Sequence, residues 1–338
     1  MKKRQGAVVA EAVEAVAPPV GPEDEPPRRD HVLAGLDGSN LLAFLAAVGT
    51  LRTWTGIAQG GGGRLSWSRV GSRWSPTLHL DEEITGAELL QRLDAALSSG
   101  RGSPAFSLAT AGLLEQDNLT LSAADFSRVA ESASTQATPT DRAFADFCAA
   151  WGTDAYRSKD AMVDTAFRTM SGAGHQHFLA FMRQLVDTTA VAHLRRALFE
   201  KWRYEDERPS MRWDAHDDRR YALRARDPSA DVIRTVRGAN RLALEAMPYL
   251  PTVPRSRGPV TSGFRRGSRA PGIEYSWPLW NVAAGADAVR TLLNHAELVV
   301  AEPRAQVLGP IGVVEVMRTR RITVDRYRNF TPARPVLR

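Results

Sequence analysis

Residues 41–54 read LLAFLAAVGTLRTW, and this run constrains the fold more than any other in the 338-residue chain. Leu41, Phe44, Leu45, Val48 and Leu51 recur at helical spacing, which predicts a helix with an apolar stripe. Ala43, Ala46, Ala47 and Gly49 fill positions between them. Such a helix belongs in the interior, and its small residues let a second element approach closely. Ser39 or Asn40 stands where a cap is needed.

The other elements are read around that helix. Residues 60–63 are four glycines without the Gly-Lys-Ser/Thr ending of a phosphate loop. They predict a hairpin or mobile loop before RLSWS and PTLHL, two short strands. Helices are expected over residues 86–97, after Thr140, over 178–202 with a break near Thr188 and Thr189, and over 236–247, where Pro248 ends the last. Residues 248–272 read as a long basic loop. IEYSWPLW follows as a strand, ADAVRTLLNHAEL as a helix and VVEVMRTRRITV as one or two strands. The expected fold class is α+β, predominantly helical, with short antiparallel strands near the N-terminal third and the C-terminus. Three parts are expected: a disordered N-terminal tail over 1–30, an α+β region over 31–173, and a helical, arginine-rich nucleic-acid-binding region over 174–338 that ends in strands.

Cys148 is the single cysteine, so neither an intrachain disulfide framework nor a zinc site built on a Cys pair is open to the chain. No window approaches the roughly 18 uninterrupted apolar residues of a spanning helix. Glu11 and Glu14 interrupt the alanine-rich start, which therefore does not read as a signal peptide. A cytoplasmic protein with no membrane partner is the expectation.

Charge points to a partner. Residues 201–270 hold 16 Lys+Arg against 9 Asp+Glu, while the whole chain nets only +6. Four of the 44 basic residues are lysines, an arginine bias that a GC-rich genome produces without any function. Base composition does not explain the clustering of arginines with Trp202, Tyr204, Trp213 and Tyr221, although some of these aromatics belong in a core under arginine stems. Guanidinium forks grip phosphate oxygens and aromatic faces accept bases, so a nucleic-acid partner is expected. The candidate contacts are Arg203, Arg208, Arg212, Arg219, Arg220, Arg234, Arg237, Asn240, Arg241, Arg265 and Arg266. In TVRGANR, Gly238 permits a close backbone approach while Arg237, Asn240 and Arg241 supply donors.

Catalytic constellations are weaker. Asp214, Asp217 and Asp218 flank His216 and have the spacing to hold a magnesium ion for phosphodiester cleavage, which is the nuclease alternative. Arg212, Arg219 and Arg220 lie within reach of the same carboxylates, and the Glu-x-Lys segment usual in such nucleases is missing. His175 and His177 are two apart and fall on different sides of a helix. No catalytic residue, metal ligand or cofactor is assigned, and a non-enzymatic protein is favoured.

Two segments carry a resemblance. HVLAGLDGSNLLAFLAAVGTLRTW resembles the opening of subunits from type I-G (formerly I-U) CRISPR systems, in which a Leu-x-Gly lead precedes a helix of the form Leu-x-x-Leu-x-Ala-x-Gly-x-Leu-Arg. WRYEDERPSMRWDAHDDRRYALRARDPS, followed by IRTVRGANRLALEAMP, is similar to a small set of proteins encoded with those systems, including an extension module associated with their helicase-nuclease. The resemblance implies a component of an RNA-guided interference complex, similar in role to the large subunit that contacts target DNA. Its implied partners are guide RNA, target DNA and other CRISPR effector proteins. The chain is short for a large subunit, which implies a reduced form or an accessory piece. A protein-binding scaffold of the same assembly is the further alternative, with the apolar helix docking onto other subunits.

Overall fold

The computed structural model describes residues 25–57, 62–158, 160–170, 177–217, 234–256, 258–267, 272–324 and 327–338. The chain opens with β1 (Arg28–Val32), α1 (Leu41–Ile57), β2 (Gly63–Val70), β3 (Arg73–Ile84) and α2 (Gly86–Ser99). There follow α3 (Ala123–Gln136), α4 (Ala143–Trp151), β4 (Gly152–Ser158), β5 (Ala161–Asp164), α5 (Phe178–Thr188) and α6 (Val191–Phe199). Next come β6 (Asp206–Glu207), β7 (Arg234–Thr235), α7 (Arg237–Leu244), β8 (Thr252–Val253), β9 (Val260–Thr261), β10 (Phe264–Arg266) and β11 (Ile273–Trp280). The last are β12 (Ala284–Gly285), α8 (Ala286–Leu293), α9 (Ala305–Leu308), β13 (Val313–Val324), β14 (Tyr327–Phe330) and β15 (Arg334–Pro335).

Asn40 is the cap of α1: its Oδ1 accepts from Ala43 N at 3.1 Å, and its carbonyl accepts from Phe44 N. Ser39 turns instead to Asp37. Thirteen of the 17 residues of α1 are buried. The hydroxyls of Thr50, Thr53 and Thr55 donate to carbonyls four residues back, which leaves no polar group of theirs unpaired against the core. Gly49 is where the second element arrives. A Cβ there would lie 1.8 Å from Leu242 O, so α1 and α7 cross backbone against backbone.

Two antiparallel sheets lie around this crossing. The first has the order β1-β3-β2-β12, the second β10-β11-β13-β14 with β15 pairing β13. Gly71, at φ 62°, supplies the positive φ that the two-residue turn between β2 and β3 requires. Phe44 packs on Trp67, Trp277 and Trp280, while the indoles of Trp277 and Trp280 donate to Gly38 O and Leu65 O. One buried cluster runs from Leu33 to Val336, and β12 pairs with β2. A core and a sheet therefore span the boundary expected near residue 174.

The predominantly helical fold class is corrected. Among the described residues the fold is mixed, with 41% helix and 26% strand and several antiparallel sheets. The strands are also not all short, since β3 and β13 have 12 residues each. The excess strand comes from residues read as loop or left unread: β10 lies in the basic loop, β4 and β14 carry too few apolar residues for alternation to mark them, and β5 is too short to show it. The helix expected from a Thr140 cap begins at Ala143 without a side-chain cap. The break at Thr188 and Thr189 is present between α5 and α6. Part of the tail assigned to 1–30 is strand, because β1 starts at Arg28 and pairs with β3; residues 1–24 lie outside the described residues. So do residues 60 and 61 of the glycine run. Among the described residues no helix is long and apolar enough to cross a membrane.

Candidate nucleic-acid interface

The segment TVRGANR forms the start of α7, and its polar groups face inward. Asn240 is fully buried: Oδ1 accepts from Met211 N at 2.8 Å, and Nδ2 donates to Thr235 Oγ1 and Val236 O. Arg241 is also interior, donating to Glu245 Oε1 at 2.7 Å and to Leu97 O, with its guanidinium over the Phe106 ring. Glu245 accepts from Arg52 as well. Burial alone would raise the Glu245 carboxyl, but Arg241 and Arg52 hold it below its usual value. Gly238 does permit a close approach, to the backbone of α6: a Cβ there would lie 2.1 Å from His193 O.

These positions correct the surface reading of Arg212, Asn240 and Arg241, all of which are buried. The donors of Asn240 and Arg241 serve packing, because a buried polar group left unpaired is costly. Arg237 is intermediate: its backbone N donates to Asp206, and its guanidinium donates to the carbonyls of Glu207 and Arg208. Arg203, Arg208 and Arg234 are exposed on and beside the β6–β7 ribbon, where Glu207 pairs in register with Arg234. Arg219 and Arg220 lie outside the described residues. Arg265 is ion-paired with Glu274 at 2.9 Å, and Arg266 is exposed.

A second concentration of arginine was missed in the sequence. The strands of the second sheet carry seven arginines, at 265, 266, 318, 320, 321, 328 and 334, against two carboxylates, Glu274 and Glu315. Register sets their faces. Arg265, Glu274 and Arg320 form one cross-strand row, and Arg318 stands opposite Arg334 one row on. Arg318 is buried, yet among the described residues it makes no ion pair. It donates to Ser276 Oγ and to the carbonyls of Leu298, Val300 and Ala301. Burial, with Arg265 and Arg334 adding to it and Glu274 opposing, lowers its guanidinium to about 10. Burial and Arg328 do the same to Arg321, against the pull of Asp164. Arg320 is half-buried with its Nε unpartnered. The signal that could have found this region is RTRR on an expected strand, where alternation sends guanidinium groups to both faces.

The Asp cluster is built differently from a row of ligands. Asp214 is buried, and three donors meet it: Asn40 Nδ2 and His216 N at Oδ1, both at 2.9 Å, and the Tyr204 hydroxyl at Oδ2, 3.0 Å. It thus ties the segment after α6 to the N-terminus of α1. The Asp217 side chain and Asp218 lie outside the described residues, and among those described no three His, Cys, Asp or Glu groups converge. The two stretches that carry the resemblance meet in space, at Asn40–Asp214 and at Gly49–Leu242. The 3-10 turn Ala215–Asp217 packs against β14 and so brings the loop of Asp214 beside the arginine-bearing sheet.

Comparison of the chain with protein-family models, with curated proteins and with solved structures gives no match in any of the three.

Proposed function

We propose that the chain is a non-catalytic nucleic-acid-binding component of a CRISPR type I effector assembly, where it contacts guide RNA or target DNA through the phosphate backbone. The observation that carries the reading is the second sheet, with seven arginines to two carboxylates. Such an excess leaves positive charge that a polyanion neutralises. Arg266 and Arg334 are exposed there, and Arg320 is half-buried. The exposed Arg203, Arg208 and Arg234 extend the basic surface. Assignment to an RNA-guided assembly, and with it a cytoplasmic location, rests on the resemblance of the two segments that meet at Asp214 and Gly49.

The test is binding of labelled RNA and DNA across a salt series. Affinity is expected to fall with a log-log slope of about −0.7 per single-strand phosphate or about −0.9 per duplex phosphate neutralised. Arg266→Ala and Arg334→Ala should each flatten that slope by about one phosphate and leave the melting temperature unchanged. A salt-independent or absent interaction overturns the proposal.

A further inference from the structure

His216 was read only as a neighbour of aspartates, yet its ring is the outer member of a stacked pair. The His216 and Tyr204 rings lie 3.9 Å apart at 24°. His216 is exposed, and Tyr204 is half-buried beneath it. Trp202 meets Tyr204 edge-on at 6.1 Å, and its indole is fixed by donation to Ala197 O.

The pair is held from below by one carboxylate. Asp214 takes the Tyr204 hydroxyl on one oxygen and the His216 backbone N on the other, so one carboxylate ties the Tyr204 ring to the backbone that carries His216. Asn40, the cap of α1, anchors Asp214 in turn. Tyr204 sits at φ 54°, a region a tyrosine rarely occupies, which aims its ring at His216. Exposed Lys201 and Arg203 stand on the same loop, and half-buried Arg328 lies on the strand that the His216 turn packs against.

We infer that the Tyr204–His216 pair is a stacking shelf for an unpaired nucleobase, which makes a single strand, rather than a duplex, the preferred partner of this surface. An aromatic face on a loop that also carries exposed guanidinium and ammonium groups suits a strand whose bases are free to leave their own stack. A duplex keeps its base faces covered and can use only the cations. A shelf ordered in advance also avoids the cost of fixing two side chains on binding. This inference rests on the proposed function and adds the class of nucleic acid.

The experiment compares the full-length protein with His216→Ala and His216→Trp for binding labelled oligouridine, oligothymidine and a hairpin duplex. Affinity of His216→Ala for the two single strands should drop about tenfold. Its duplex affinity, salt slope and melting temperature should stay as in the wild type, and His216→Trp should recover single-strand binding. Salt-dependent binding that His216→Ala leaves untouched, or weakens equally on strand and duplex, overturns the shelf while the backbone-binding function stands. A wild-type protein with no affinity for any of the three probes overturns both.

Discussion

Arg241 on α7 and Arg318 on β13 are equally hidden, at 2% and 3% exposure, yet they belong to opposite electrostatic designs. Arg241 faces Glu245, which also takes Arg52, so the charge brought inside with α7 is met by a carboxylate. Arg318 is met only by a hydroxyl and three carbonyls, and its nearest charged neighbours include two further arginines. The first arrangement spends arginine on packing. The second gives each guanidinium nitrogen a partner and still leaves net positive charge in the sheet. Arginine density in a sequence therefore does not locate unneutralised charge; the carboxylates that fold back onto it decide that.

The sharpest test of this contrast is Arg241→Ala. It leaves Glu245 with Arg52 alone and should cost about 3 kcal/mol in denaturant unfolding, because a buried partner is removed. Nucleic-acid affinity of the folded variant should be unchanged; a flatter salt slope at unchanged stability would break the comparison. Gly49→Ala is expected to cost about 2–3 kcal/mol by forcing α1 from the Leu242 carbonyl, which the melting temperature reads. Arg318→Met orphans the carbonyls of residues 298, 300 and 301 and should cost about 2 kcal/mol. A neutral or stabilising result would mean that water takes over those carbonyls and that the cation is dispensable.

The smallest effect is a pH dependence next to Arg318. Hydrogen bonds from Arg304 hold the Glu297 carboxyl at about 2, below its ordinary 4.5, with burial opposing. A depressed folded-state value contributes stability that is present above 4.5 and lost as pH falls toward 2. The melting temperature of the wild type should therefore fall more between about pH 7 and about pH 3 than that of Glu297→Gln. Equal falls would remove the Glu297–Arg304 latch from the account of the 298–301 turn.

Much of the fold was legible where a residue type has one physical use. The apolar and small residues of α1, the paired threonines between α5 and α6, and the strands β11 and β13 were readable from period and breakers alone. The strand content was underestimated because β10 and β14, FRR and YRNF, earn their pairing from a neighbouring strand and not from their own hydrophobicity. The candidate site was legible only in part. Arg203, Arg208, Arg234 and Arg266 are exposed as expected of contacts, whereas Asn240 and Arg241 looked the same in sequence and went inside.

The sequence by itself determined that a helix over residues 41–54 must be buried, that its small residues leave room for another element to approach, and that basic charge gathers after residue 200, because hydrophobic period and net charge are local sums. Which element crosses, which arginines find a carboxylate, and that Tyr204, His216 and Asn40 all meet Asp214 were decided by tertiary structure alone. Pairing of a charge or stacking of a ring depends on the partner delivered from elsewhere in the chain, and Asn40 and Asp214 are 174 residues apart.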